Sequence, residues 1–264
     1  MRPLSSHAGF TLIEMIIVIV ITAVVGSMVA VFLRVPLDSY VAQDRRARLT
    51  DIADTALRRM SRDIRLALPN SVRVTSVGTV FYLEFLGTRS GGRYRAQGGG
   101  DILEFAVADS SFDVLGPAIV MQTGDRIAVY NLGIPGANAW EGDTLAAYTG
   151  GVGSVTNVAI AAKQFPLASP GSRFQVVEGP VSYVCDPVAG TLTRYWGYAI
   201  GANQPTGFVA ATQQAQLATR VSACKFEYQP GVTERGGLVA MTLNVSQSNE
   251  TIRLFSSTQV SNQP

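Results

Sequence analysis

Gly9-Phe10-Thr11-Leu12-Ile13-Glu14 is followed by a run from Met15 to Leu33 that contains no charged residue. At ~1.5 Å of helical rise per residue, a run of that length approaches the ~30 Å hydrocarbon thickness of a bilayer. It can span a membrane. A secretory signal peptide carries its apolar core ahead of the cleavage site and is discarded with it. Here the small residue, Gly9, stands on the N-terminal side of the run, so a cut there would leave the apolar segment on the chain. The residues before it, Met1 to Ala8, offer Arg2 and His7 as cations.

A cleavable glycine, an aromatic residue, Thr-Leu-Ile, a single acid and an apolar run coincide in that order, and the hexapeptide resembles the processing site of type IV pilins and pseudopilins. The resemblance implies that a membrane prepilin peptidase cuts between Gly9 and Phe10 and methylates the new amine of Phe10. It also implies that Glu14 meets the methylated ammonium of a neighbouring subunit during assembly. An ionised carboxylate costs ~2.5–3.5 kcal/mol at mid-bilayer and less near the end of a span, so a partner for Glu14 is expected on physical grounds as well. The expected organisation is a leader over residues 1–9, a transmembrane helix over 10–33, a periplasmic stem helix over 34–69 and a periplasmic β-rich globular domain over 70–264.

With 264 residues and a net charge of +2, the chain has room for one span and one sizeable domain, and it carries no electrostatic footprint for nucleic acid. Loss of residues 1–9 leaves 20 basic against 19 acidic side chains, and it removes His7, the one histidine. Ser-His-Asp and Cys-His catalysis and the common zinc sets need histidine, so the expectation is a protein that is not an enzyme and holds no cofactor or metal. Cys185 and Cys224 form no CxxC pair. In an oxidising compartment a disulfide between them would close a loop of about 40 residues and contribute about 4 kcal/mol in the chain-entropy model; two buried thiols are the alternative. Orientation is contested within the sequence. Arg34, Arg45, Arg46 and Arg48 follow the span and only Arg2 precedes it, which by the positive-inside rule favours a cytoplasmic C-terminal part. The family resemblance and the cysteines favour a periplasmic one.

Leu37 to Leu68 reads as a continuing helix. Leu49, Ile52, Ala53, Ala56, Leu57, Met60, Ile64 and Ala67 recur at spacings of three and four, with Asp51, Thr55, Arg58, Arg62 and Arg65 opposite. Asp44 with Arg48, Asp54 with Arg58, and Arg59 with Asp63 stand four apart. Pro36 predicts an interruption and kink, and Leu68-Pro69 a stop. Beyond Asn70 the pattern changes to short β-branched and aromatic runs. Strands are predicted at 71–77, 80–86, 101–107, 127–131, 174–185, 191–200, 220–228, 238–245 and 251–256. A hairpin turn falls at Asp186 to Gly190, a longer hairpin loop at Gly231 to Gly237, and a frayed end at Gln259 to Pro264. The fold class is α+β, a long N-terminal helix packed on a mostly antiparallel sheet.

The glycine-rich stretch Gly87 to Asp101 lacks phosphate-loop spacing and reads as a flexible surface loop, as does Gly150 to Ser154. Asp109 and Asp113 could supply oxygen to calcium but lack EF-hand spacing. Trp140, Trp196, Tyr195 and Tyr198 could line a sugar site, although a packed strand face is the simpler reading. The segments from Ala56 to Arg65 and from Leu68 to Val74 resemble the stem-to-sheet junction of minor pilin-like proteins of mannose-sensitive haemagglutinin (MSHA) pili, of J-type pseudopilins and of W-type minor pilins. The resemblance implies a structural subunit of the inner membrane that acts in the initiation or tip of an MSHA-like type IV pilus. Its partners would be prepilin peptidase and other minor and major pilin subunits. A minor pseudopilin of type II secretion, a tip adhesin and a membrane-anchored protein that never polymerises are the alternatives.

Overall fold

The computed structural model describes residues 9–209, 212–231 and 236–262, with the side chains at positions 30 and 33–38 outside the description. Apart from Gly9, the expected leader lies outside the described residues. One helix, α1, spans Leu12–Arg65. Its assignment passes through position 36 without a break, where the sequence predicts an interruption. A proline withholds a single amide donor, and the hydrogen bonds of the turns on either side carry the helix across.

The helix stops three residues short of Leu68 because the sheet captures the chain. The amides of Leu66 and Ala67 fold back to Asp63 and Ile64 at 3.0 and 3.1 Å, and the Leu68 amide then donates to the Leu86 carbonyl at 2.7 Å. Contacts divide the chain into two compact units, Met1–Arg48 and Leu49–Pro264. In the first, Leu12–Val29 is apolar on every side and wholly exposed within the chain, which leaves it long and apolar enough to cross a membrane. A helix apolar all round has no face for water. Asp44 and Arg48 form the expected pair at 3.0 Å.

The second unit holds the last turns of the helix and all the described strands. In chain order these are β1 (Arg73–Val77), β2 (Val80–Tyr94), β3 (Asp109–Leu115), β4 (Ile119–Met121), β5 (Arg126–Ala128), β6 (Leu145–Ala147) and β7 (Gly153–Val155). They are followed by β8 (Asn157–Lys163), β9 (Arg173–Asp186), β10 (Thr191–Trp196), β11 (Gln213–Thr219), β12 (Val221–Gln229), β13 (Gly237–Gln247) and β14 (Glu250–Val260). Among the described residues they make a nine-stranded sheet with the path β11-β10-β9-β2-β3-β8, a three-stranded sheet β12-β13-β14 and a ribbon β4-β7. Every pairing is antiparallel. The fold is α+β.

The predicted helical stripe is the centre of the main core. Leu49, Ala53, Ala56, Leu57, Met60 and Ile64 are buried with Leu83 and Phe85 of β2, Tyr183 of β9, and Val239, Met241 and Leu243 of β13. Both larger sheets therefore close on one face of α1. A second core gathers Tyr94, Phe112, Phe174 and Ile127 away from the helix. Cys185 on β9 and Cys224 on β12 are buried and joined by a disulfide, with their Cα atoms 6.5 Å apart, which ties the nine-stranded sheet to the three-stranded one.

Several sequence expectations are corrected. Residues 101–107 form no strand; the ladder runs instead through β3, whose Phe112 and Val114 alternate inward between Ser111 and Asp113. The run 101–107 contributes buried Leu103 and partly buried Phe105 to the second core without joining a sheet. The first half of the Gly87 to Asp101 stretch, up to Tyr94, is β2 rather than a loop, while positions 95–101 form no strand. A Cβ on Gly91 would stand 2.8 Å from the Phe174 carbonyl and one on Gly92 3.0 Å from its ring, so close strand packing requires both glycines. Gly153 likewise opens β7. Thr191 to Ile200 ends as strand at Trp196, where Gly197 takes φ +77. The C-terminus is not frayed as far as Asn262: Val260 is buried, and the Asn262 side chain accepts from the Asn70 amide at 3.2 Å and donates to the Tyr228 hydroxyl at 3.0 Å. The turn at Asp186 to Gly190 is present, with Gly190 at φ +70. Residues 232–235 of the β12–β13 loop lie outside the described residues.

Two outcomes test this packing. Cys185→Ala/Cys224→Ala should lower the unfolding free energy by about 4 kcal/mol in urea titration, because the separation of 39 residues sets the loop entropy released. A difference below about 1 kcal/mol would remove the disulfide from the account. Met60→Ala, at 0% exposure, should cost about 2–5 kcal/mol, whereas Thr55→Ala on the outer face should leave the midpoint nearly unchanged.

Candidate functional site

The N-terminal segment is built by one cap. Gly9 and Phe10 are non-helical, and the Thr11 hydroxyl accepts the Glu14 amide at 3.3 Å while the Thr11 carbonyl accepts the Met15 amide at 3.2 Å. Thr11-Leu12-Ile13-Glu14 thus has the spacing of a capping box, a local signal that sequence reading passed over in favour of the longer motif. The cap fixes where the helix begins and leaves Gly9-Phe10 outside it. An acid in the first turn also sits favourably against the helix dipole.

Gly9 takes no left-handed φ, and no described residue lies within 4 Å of where its Cβ would stand. No contact among the described residues demands glycine there. Phe10 is 78% exposed, and no described group pairs with the Glu14 carboxylate. Gly9, Phe10 and Glu14 lie together within one cap, whereas Cys185 and Cys224 are in the second compact unit.

Many polar groups of the second unit are engaged in its own structure. Asp63 accepts from the Tyr183 hydroxyl at 2.7 Å and from Arg194 Nε at 2.9 Å, besides its predicted pair with Arg59 at 3.0 Å. Burial first, and the Asp63 carboxylate second, hold the Tyr183 phenol far above its ordinary range. On the other face of β2, buried Glu84 accepts from Arg73 Nε at 2.6 Å and from the Tyr198 hydroxyl at 2.8 Å. Arg73 also donates to the carbonyls of Gly201 and Ala202 and lies 3.7 Å over the Trp140 ring. The cluster clamps the segment after β10 onto the sheet. Sequence reading missed Glu84, although a lone acid within Phe81-Tyr82-Leu83-Glu84-Phe85-Leu86 is the sign of a buried charge that needs a partner.

These contacts also decide the weaker candidates. Trp140 is 7% exposed and donates Nε1 to the Ser71 carbonyl at 3.0 Å, Tyr198 is bound to Glu84, and Tyr195 stacks on Phe208 at 4.2 Å. Trp196 packs against the main core with Arg194 4.6 Å over its ring, so all four aromatics are engaged in internal contacts. Asp109 receives the amides of Glu104 and Ser110 at 2.8 and 2.7 Å, and Asp113 receives Asn157 Nδ2, the Asp101 amide and Arg95 Nε. Both carboxylates act as turn and loop caps, and no group of three or more metal-ligating side chains occurs among the described residues. The arginines of the glycine-rich stretch are engaged as well: Arg89 pairs with Asp125 and Glu178, Arg95 pairs with Asp113, and Arg93 donates to the Gly171 carbonyl at 3.1 Å.

Comparison with known proteins bears on the N-terminal segment alone. Residues 4–30 match the family model described as the prokaryotic N-terminal methylation motif, which supports a type IV pilin-like family and indicates prepilin-type processing. No curated protein and no solved structure matches the chain.

The two buried clusters make separable predictions. Asp63→Ala strands the Tyr183 hydroxyl and Arg194 and should cost about 3 kcal/mol, while Asp44→Ala, whose pair is solvent-exposed, should cost under ~0.5 kcal/mol in the same urea assay. Burial holds the Glu84 carboxyl above its ordinary 4.5, against the opposing bond from Arg73. The folded state then binds the proton more tightly than the unfolded state. Its contribution is full below pH 4.5 and declines as pH rises through the folded value. Glu84→Gln should flatten that decline in stability measured against pH, and an unchanged profile would contradict the assignment.

Proposed function

We propose that the chain is a minor pilin or pseudopilin with a structural, non-catalytic role. In this reading prepilin peptidase removes residues 1–9 and the Phe10 amine is methylated. The apolar helix then holds the protein in the inner membrane as a single-pass subunit with its β-rich part in the periplasm, and from there the chain enters the initiating or tip complex of an MSHA-like type IV pilus. The observation that carries the proposal is the pairing of a glycine that no described contact requires with a wholly exposed apolar helix, capped by Thr11 and beginning three residues later at Leu12. Since no described contact requires glycine at position 9, an external enzyme that needs a small residue there accounts for it.

Glu14 fits the same reading. A carboxylate at the start of a membrane-spanning helix, with no partner among the described residues, is stabilised when a cation is brought to it. The methylated amine of a neighbouring subunit supplies that cation, and the charge pair sets the register of the incoming helix. The disulfide supports an oxidising compartment for the second unit, against the positive-inside count. A globular part of nearly 200 residues, positions 70–264, favours a subunit used in few copies over one repeated along a fibre. The engagement of Trp140 and Tyr198 within the core gives no support to a sugar-binding tip.

Mass spectrometry of the protein from membranes should find a chain beginning at methylated Phe10, and Gly9→Val should leave the leader attached. Wild-type protein that begins at Met1 would overturn the proposal. Glu14→Gln should insert normally yet reduce filament incorporation roughly tenfold if the pair contributes ~1.4 kcal/mol. Undiminished incorporation would exclude the charge pair as the guide.

A further inference from the structure

β14 is the terminal strand of the three-stranded sheet, and its outer edge pairs with no strand among the described residues. Its 11 residues keep an unbroken register with β13. Every second residue of such a strand turns its amide and carbonyl away from its neighbour, which makes the edge a template for another chain. Proteins usually blunt such edges with proline, bulges, charge or short length. β14 has no proline, no register shift and, between its ends, one charged residue, Arg253.

The edge borders a groove of about 500 Å³ whose other wall is the last turns of α1. Thr55, Ser61 and Ser256 to Thr258 contribute neutral polar atoms, and the charged lining is Arg58, Arg62 and Arg65. Arg58 already holds Asp54 at 2.7 Å, whereas Arg62 and Arg65 are exposed and in no ion pair among the described residues. Ser256 faces the helix, with its hydroxyl 3.3 Å from that of Ser61. Phe255, the next residue along and therefore on the outward face, is 68% exposed.

We propose that the free edge of β14 and the arginines of α1 form a docking site for an extended, acidic segment of another protein chain, which adds as a fourth strand. Backbone hydrogen bonds to β14 would supply affinity, and alternate side chains turned toward the groove would bring carboxylates to Arg62 and Arg65. Side chains on the outward face would cover Phe255. A second copy of this chain is the poorer occupant, because two-fold pairing of β14 with β14 would bring two arginine sets onto one interface. The inference stands on the second compact unit and does not depend on how the N-terminus is processed.

The test uses the full chain in detergent micelles and a labelled nine-residue peptide of alternating glutamate and valine, followed by fluorescence anisotropy at low salt. The acidic peptide should bind saturably and slow amide exchange along β14. Arg62→Ala/Arg65→Ala, both solvent-exposed and therefore expected to leave the melting curve unchanged, should weaken binding at least about tenfold. The same peptide with alternate backbone nitrogens methylated should lose affinity to a similar degree, and its lysine counterpart should not bind. Equal binding of the methylated peptide would reduce the site to charge attraction and overturn strand addition. Absent binding, equal binding of the lysine peptide, or a peptide-free dimer that itself protects β14 would overturn the proposal.

Discussion

One face of α1, from Leu49 to Ile64, lies against both larger sheets, and the second compact unit depends on that contact. Neither sheet is closed by itself: β2 and β9 present Leu83, Phe85 and Tyr183 to the helix, and β13 presents Val239, Met241 and Leu243. Burial of a single Leu, Ile or Met side chain contributes ~1.5–3 kcal/mol, so the six-residue stripe outweighs every surface ion pair on the same helix. Asp63 adds direction to that adhesion. It lies beside the stripe and collects Tyr183 and Arg194 from the sheet, fixing how the helix is rotated against its partners.

The same helix changes character along its length. Over Met15–Val29 it carries no charge and is long and apolar enough, with the first turn, to suit hydrocarbon, and past Leu49 it is amphipathic, which suits a protein surface on one face and water on the other. The Thr11 cap decides where the first regime starts, and capture of Leu68 by β2 decides where the second stops. The disulfide then holds β9 and β12 together, so the two sheets that share the helix also share a covalent tie.

Much of this was legible in the sequence because it is local. The helical stripe, the three pairs four apart and the hairpin at Asp186 to Gly190 each depend on spacing within a few residues. What was not legible depends on partners distant in the chain. Gly91 and Gly92 read as a loop until Phe174 of β9 is laid across them. β3 was hidden because Asp109-Ser110-Ser111 resembles a turn, and β8 because alanine-rich Asn157–Lys163 has little β preference of its own. Glu84 escaped notice because the cation that permits its burial, Arg73, lies on a neighbouring strand. The processing segment was readable for the opposite reason. It is contiguous in the chain, and residues 4–30 match the prokaryotic N-terminal methylation motif on local sequence alone.

Thiol accessibility tests most directly the proposal that one helix passes from hydrocarbon to periplasm. With the native cysteines paired, Val20→Cys and Thr55→Cys each introduce a single reactive thiol. Treatment of spheroplasts with a membrane-impermeant maleimide should leave Val20→Cys unlabelled and label Thr55→Cys without inner-membrane permeabilisation. Ready labelling of Val20→Cys, or labelling of Thr55→Cys only after the inner membrane is opened, would contradict the account.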